Sequence, residues 1–360
     1  MSKPKLGVVL MNLGGPTSEP AVKDFLYNLF RDEDIIKLGG GRVQNALATT
    51  ISSLRYKKIA AKYRDINGCP KGCTGSKYCT NRQLKLISDC CSPINGLTEL
   101  QRRTLEKFLK SELPEFDTKV YTAMRYWLPF ASDIMQEMMD DGIEQVVLMP
   151  LYPHFSWTTT GSSLRDWEQV RNEFIQKGKT PTWSEYTVKS YHLQPNFLNA
   201  VNDRIEQAMA EFTPEERAKV HILFTAHGTP IAEVESGDPY TDQIVDTVEA
   251  IMDLRGRTEN YWTCYQSRVG PAKWTQPNTE DLVFRLIDYG VKHLLMVPVA
   301  FVTDHIETLH ELGIELKEEI EEEGKHIEKI VVTKGLNDHP EFIKAMAEEV
   351  KLRIAHVAVG

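Results

Sequence analysis

A histidine at the end of an apolar run, a row of carboxylates behind a second histidine, and a knot of cysteines are the groups of this chain with the most chemistry in them. His227 closes the run Leu223-Phe224-Thr225-Ala226, and Gly228 and Pro230 turn the chain directly after it. In an open α/β sheet, ligands bind at the carboxyl ends of the strands. An imidazole held there can exchange a proton near neutral pH or ligate a metal. The structural alternative is a histidine that merely finishes a strand. The second group is Asp304-His305-Ile306-Glu307, after a strand that ends near Phe301, with Asp304 a candidate N-cap for the next helix. Glu307, Glu311 and Glu315 follow at i, i+4 and i+8, a spacing that lines three carboxylates along one α-helical face. Such a row is often a solvated face, and Glu318 to Glu323 reads that way. Glu307 sits too close to a strand terminus for that reading. Stacked carboxylates raise one another's pKa and attract cations and protons, which makes a route for either. Third, five of the six cysteines fall between Cys69 and Cys91. In a reducing compartment that clustering points to a metal site rather than to disulfides.

Three further stretches carry polar groups at strand ends. Leu151 to Leu164 follows a strand and opens a helix; its hydroxyls and amides, including Ser162, can hold a carboxylate or phosphate, or simply cap the helix. Arg125 and Tyr126 combine a cation with an aromatic, and Gln266 to Trp274 reads as a rigid loop ending in one large aromatic. No GxxxxGK[ST] or GxGxxG element is present, which disfavours nucleotide chemistry.

The elements that must position these groups alternate almost throughout. Strands are expected over 5–11, 118–124, 144–150, 185–190, 219–226, 259–265, 292–299 and 327–333. Helices are expected over 19–31, 97–112, 130–141, 164–177, 195–211, 241–255, 278–288, 305–323 and 339–355. Continuous apolar strands such as Val146 to Met149 and Leu294 to Val297 suit a parallel sheet buried on both faces. The halves echo each other. Asp140-Asp141-Gly142 precedes a strand ending at Pro150, and Asp288-Tyr289-Gly290 one ending at Pro298. Asn12-Leu13-Gly14-Gly15-Pro16 likewise echoes His227-Gly228-Thr229-Pro230, with Asn12 and His227 as counterparts. The expected class is α/β: two similar Rossmann-like, doubly wound domains of parallel sheet, with the active site in the cleft between them. The division is expected as 1–160 and 161–334, with a helix in 335–360 packing back on the first domain.

The 360 residues suffice for two cores. A net charge of -9, with no basic block, argues against nucleic acid as a partner. No run reaches transmembrane length, and the N-terminus reads as a first core strand rather than a signal peptide, so a cytoplasmic protein is expected.

Taken together, MNLGGP at 11–16, LYPHFSWTTTGSSL at 151–164, LFTAHGTPIAEVESGDPY at 223–240, QSRVGPAKW at 266–274 and PVAFVTDHIETLHEL at 298–312 resemble the ferrochelatases, in the family's order and over nearly the whole chain. The resemblance implies a chelatase-like fold and a lyase that inserts Fe²⁺ into protoporphyrin IX. Coproporphyrin III is the alternative substrate, and a non-catalytic tetrapyrrole or metal carrier the alternative class. It implies that His227 and Glu307 are catalytic and meet the substrate iron. Asp304, His305, Glu311 and Glu315 would form a proton or metal path, and Leu13, Arg125, Tyr126, Ser162, Phe301 and Trp274 would line the porphyrin site.

The chain departs from the family pattern where an extra segment, 67–91, precedes Ser92-Pro93. It is similar to the internal cysteine segment of ferrochelatases that carry a [2Fe–2S] cluster. On that likeness Cys69, Cys73, Cys79 and Cys91 (or Cys90) are the ligands. A structural zinc site and free thiols are the alternatives. Cys264 falls in a core strand and reads as packing. Phe25, Leu26, Leu29 and Phe30 form one helical face, either core or a peripheral contact with the inner membrane.

Overall fold

The computed structural model describes residues 2–35, 39–67, 92–267 and 272–355. The cysteine segment, and with it Cys69, Cys73, Cys79, Cys90 and Cys91, lies outside the described residues.

The chain divides into two compact units. The described residues of the first fall within Met1–Tyr152, Trp157–Lys189 and Ile343–Gly360; those of the second within Pro153–Ser156 and Ser190–Phe342. In unit 1, β1 (Lys5–Asn12) leads to α1 (Ala21–Arg31), α2 (Gly41–Asn67) and α3 (Pro93–Glu112). Then come β2 (Asp117–Met124), α4 (Ala131–Asp141), β3 (Gln145–Pro150), a π-helix over Trp157–Gly161, α5 (Ser162–Gln176) and β4 (Ser184–Thr187). The sheet order is β2-β1-β3-β4, all parallel. Because β4 pairs with β3, this unit runs through Lys189, whereas the sequence reading divides the chain after residue 160.

In unit 2, α6 (Pro195–Met209) and α7 (Pro214–Arg217) precede β5 (Val220–His227), α8 (Ile231–Glu235), α9 (Tyr240–Leu254) and β6 (Asn260–Gln266). α10 (Thr279–Asp288), β7 (His293–Pro298), a π-helix over Glu307–Glu315, α11 (Leu316–Glu322) and β8 (Lys329–Val332) complete it. The order β6-β5-β7-β8, again parallel, repeats that of unit 1. α12 (Pro340–Ala355) starts in unit 2 and continues in unit 1, where Lys351 pairs with Glu112 and Arg353 Nε donates to the Thr187 carbonyl.

The apolar strands are buried on both faces, as parallel strands under crossover helices must be. One face of the first sheet, with Val9, Met11, Val146 and Leu148, packs against Ile134, Met135 and Met138 of α4 and Trp167 of α5. One face of the second, with Leu223, Cys264, Leu294 and Met296, packs against Leu282, Val283 and Leu286 of α10 and against Leu312, Leu316 and Ile320. Burying each such side chain contributes about 1.5–3 kcal/mol. The α1 face is core too: Phe25, Leu26 and Phe30 are buried, and α2 packs on α1.

Register corrects one expected pairing between the halves. Pro150 pairs with Met11 and Pro298 with Thr225. The amide of Met124 donates to the Pro129 carbonyl, and that of Tyr265 to the Pro277 carbonyl; Met124 pairs with Asn12 and Tyr265 with Ala226. Both markers lay Asn12 on Ala226, so the counterpart of His227 is Leu13. Asn12 is a buried tie instead: Nδ2 donates to Thr98 Oγ1 at 2.9 Å, and Oδ1 accepts the Leu13 N–H at 2.8 Å.

Candidate functional site

His227 is the last residue of β5 and half-buried. Its Nδ1 lies 2.6 Å from the Gly228 carbonyl. A carbonyl only accepts, so Nδ1 carries the proton and Nε2 keeps its lone pair for a proton or a metal. The Trp274 ring meets the imidazole edge-on at 6.3 Å. Gly228 allows a close approach here: an added Cβ would lie 3.0 Å from the Ser267 carbonyl and 3.1 Å from that of Gln266, so the neighbouring backbone would have to give by a few tenths of an ångström. Tyr240 hydrogen-bonds to the His227 backbone, and burial, with the Tyr265 and Glu307 charges, pushes its phenol well up. Burial likewise pushes Tyr265 up to about 12. Both phenols therefore remain neutral hydrogen-bonding groups.

The helix that carries the acidic row is a π-helix, not the α-helix its spacing predicts. The i→i+5 ladder widens each turn, so residues five apart stack. His310 Nδ1 accordingly lies 3.8 Å from Glu315 Oε2. Glu307 opens the π-helix; its Oε1 is 3.8 Å from His305 Nε2, and its buried Oε2 has no partner among the described residues. The His305 ring stands 4.7 Å from Phe301, with Nδ1 donating to the Thr303 carbonyl at 3.0 Å. Glu311 Oε2 accepts the Ser267 hydroxyl at 3.2 Å.

Asp304 is placed differently from the expectation. It caps no helix: Oδ1 accepts the Gly335 N–H at 2.9 Å and the Thr308 hydroxyl at 3.2 Å, and Oδ2 accepts Asn337 Nδ2 at 2.8 Å. With both oxygens engaged, its carboxylate ties the loop after β7 to the 335–337 turn.

In unit 1, Arg125, Tyr126 and Ser162 converge on a residue the sequence reading passes over. Asp32 Oδ2 accepts Tyr126 Oη at 2.5 Å, Ser162 Oγ at 2.6 Å and Arg125 Nη2 at 2.9 Å. Arg125 Nε also donates to Ser162 Oγ at 2.9 Å, and Nη1 lies 3.3 Å from Asp166. The Asp32 side chain is 4% exposed, so this is a buried pair kept by several charge-assisted bonds. Burial and the Asp32 charge hold Tyr126 well above the usual phenol range. The start of α5 does hold a carboxylate, but it is the chain's own. Leu13 is half-buried beside this network, its carbonyl accepting the Tyr126 N–H at 3.0 Å.

Sequence reasoning therefore misses Asp32 and Tyr240. Asp32 hides in Asp32-Glu33-Asp34, which reads as a solvated turn. Tyr240 closes the His227 stretch and carried a signal by proximity alone. Among the described residues no group of three or more His, Cys, Asp or Glu is arranged to hold a metal ion, and no helix is long and apolar enough to cross a membrane.

The ferrochelatase family profile matches residues 5–354. A protein named ferrochelatase from Picosynechococcus sp. is 39% identical over 348 residues, covering 96% of this chain and 82% of its own length. One from Gloeobacter violaceus is 37% identical over 347 residues, covering 96% and 97%. Among solved structures, SirB from Bacillus subtilis with Fe³⁺ aligns over 98% of this chain and 97% of its own with a TM-score of 0.51 at 10% identity, a likeness of fold.

Proposed function

The chain belongs to the ferrochelatase family, and from that premise we propose that it inserts Fe²⁺ into protoporphyrin IX to give protohaem. The observation that carries the mechanism is His227, whose Nδ1–H is committed to the Gly228 carbonyl and whose Nε2 is therefore a base. Metallation releases two pyrrole protons as Fe²⁺ sheds its waters, and the iron keeps its oxidation state. His227 Nε2 accepts a pyrrole proton. Glu307, with a buried oxygen that nothing among the described residues satisfies, offers an anion to the proton or to the incoming iron. Glu311 and Glu315 extend that anionic row along the π-helix. Phe301 and Trp274, beside His305 and His227, supply apolar surface for the macrocycle, and Leu13 does the same in unit 1. Arg125, Tyr126 and Ser162 contribute as a preassembled wall, because their polar atoms are already engaged with Asp32.

We also propose a [2Fe–2S] cluster on Cys69, Cys73, Cys79 and Cys91 or Cys90. Support comes from the donor set, four thiolates within one short segment, which suits iron–sulfur chemistry. No step of metallation is routed through it. A reduced thiol set fits a cytoplasmic setting. Any peripheral membrane contact would have to avoid the buried α1 face; exposed Val43, Leu47 and Leu54 of α2 are the apolar alternative.

The test is an anaerobic assay with Fe²⁺ and each porphyrin, after a visible spectrum and a determination of acid-labile sulfide. Protohaem formation supports the proposal, and turnover with coproporphyrin III alone moves the substrate. No turnover with either porphyrin overturns the enzyme reading. Bound zinc without sulfide overturns the cluster.

A further inference from the structure

Gln266 ends β6 and pairs in register with His227. Register partners on neighbouring parallel strands sit about 4.8 Å apart and point to the same face of the sheet. Leu223 and Cys264 share that face and pack beneath α10, Leu312 of the π-helix and α11. The π-helix also reaches this strand end through Glu311, which accepts the hydroxyl of Ser267, the residue after Gln266. Gln266 therefore lies beside His227, under the helix that carries the carboxylates.

Its side chain is unusual in what it lacks. Gln266 is 5% exposed, and neither Oε1 nor Nε2 has a hydrogen-bond partner among the described residues. Thr225 Oγ1, two residues before His227 on the same face, is likewise unpaired, as is Glu307 Oε2. An unmet buried polar group costs about 1–3 kcal/mol, so an apolar side chain would serve the fold better here. The architecture does not demand the vacancy either. Laying Met124 on Tyr265 lays Arg125 on Gln266, and Arg125 finds partners in Asp32, Ser162 and Asp166.

We propose that Gln266 is a positioning residue for metallation, its amide holding a water beside His227 on the side of the π-helix carboxylates. This rests on the metallation reading. The amide donates through Nε2 and accepts through Oε1; a water can meet either atom, whereas a bare cation can meet Oε1 alone. A water so held can take a proton from the imidazolium or belong to the hydration shell of the arriving divalent ion.

The experiment compares wild-type protein with Gln266→Leu and Gln266→Glu, measuring kcat, KM for porphyrin and for metal, porphyrin binding by fluorescence, and thermal unfolding. Gln266→Leu should unfold at or above the wild-type temperature and bind porphyrin normally. Its kcat should fall on the order of tenfold to a hundredfold, as loss of positioning predicts. Gln266→Glu, which keeps an acceptor, should recover much of that loss. A rise in metal KM with the fall in kcat assigns the water to the ion's hydration shell; a fall in kcat alone assigns it to proton transfer. Wild-type kcat in Gln266→Leu overturns the inference by itself, as does parallel loss of stability and porphyrin binding, which would mark a structural role. A wild-type protein that metallates neither porphyrin overturns the metallation reading, and this inference with it.

Discussion

The two units share sheet order, closely similar strand lengths and a π-helix after the third strand, yet they treat the polar groups at their strand ends in opposite ways. In unit 1 the charged groups are closed on one another, with Asp32 at the centre of Arg125, Tyr126 and Ser162. The orphans there are hydroxyls, such as Thr159 and Thr160. In unit 2 an amide, an indole N–H and a carboxylate oxygen have no partner among the described residues, at Gln266, Trp274 and Glu307. The same scaffold has its charged strand-end groups paired internally in one half and several polar groups unpaired among the described residues in the other. Leu13 standing where His227 stands in the second unit makes the same point with one residue.

The sharpest way to break this contrast is to exchange its two ends. His227→Ala should lower kcat by about 10²–10⁴-fold with porphyrin still bound, whereas Leu13→Ala should alter porphyrin KM more than kcat. Equal losses in steady-state metallation assays would mean that the halves share the chemistry.

Next in size is Asp32→Ala, which takes the nearer carboxylate from the Arg125 guanidinium and the acceptor from Tyr126 and Ser162, leaving Asp166 at 3.3 Å, and should cost about 3 kcal/mol in urea unfolding. Asp32→Asn, which keeps one acceptor, should cost less. Unchanged stability would show that the closed network does not order unit 1.

The turns after the first strands offer a finer comparison. Gly14 has φ +79, and an added Cβ would lie 3.0 Å from Met124 Cβ, so Gly14→Ala should cost about 1–3 kcal/mol in unfolding free energy. Gly228 has no such φ. Gly228→Ala should act mainly by pushing His227, at the end of β5, away from the end of β6, lowering kcat more than stability.

A further comparison is a pH dependence. Burial, with His192 second, pushes His154 down to about 3, so it stays neutral in the folded protein while the unfolded chain protonates near its ordinary value of 6.5. The unfolded state then binds more protons, and stability is full above pH 6.5 and falls as pH drops toward 3, by up to ~1.4 kcal/mol per pH unit. His154→Gln should flatten unfolding free energy over that window. Its counterpart when Pro150 is laid on Pro298, the buried Val302, carries no such dependence.

All eight strands were legible, the central ones because buried parallel strands write continuous apolar runs; β4, Ser-Glu-Tyr-Thr and unburied, has no such run. α2 was not. Its buried residues are Gln44, Ala48, Ser52, Ala60 and Tyr63, while Val43, Leu47 and Leu54 face outward, so its first half lacks the apolar stripe of an amphipathic core helix. What holds it is packing on α1 and a bond from Gln44 Nε2 to the Phe30 carbonyl at 2.9 Å. The acidic row was legible as a row. Its π geometry was not, since a one-residue shift in hydrogen bonding is decided by packing rather than by spacing. His227 and Glu307 stood out because strand ends before turns carry a local signature. Asp32 and Gln266 have none: their importance comes from what tertiary structure brings to one and withholds from the other.

α12 has a consequence for how the protein is made. Ile343, Ala345, Met346, Ala347 and Val350 are almost wholly buried and belong with unit 1, although the ribosome delivers them after the whole of unit 2. Domains fold as they emerge, N-terminal first. Here the N-terminal unit emerges first and is finished last, holding an uncovered apolar surface through the synthesis of its twin. That interval is when a nascent chain most needs a chaperone, and a nonsense mutation late in the message would strike the earliest-made half.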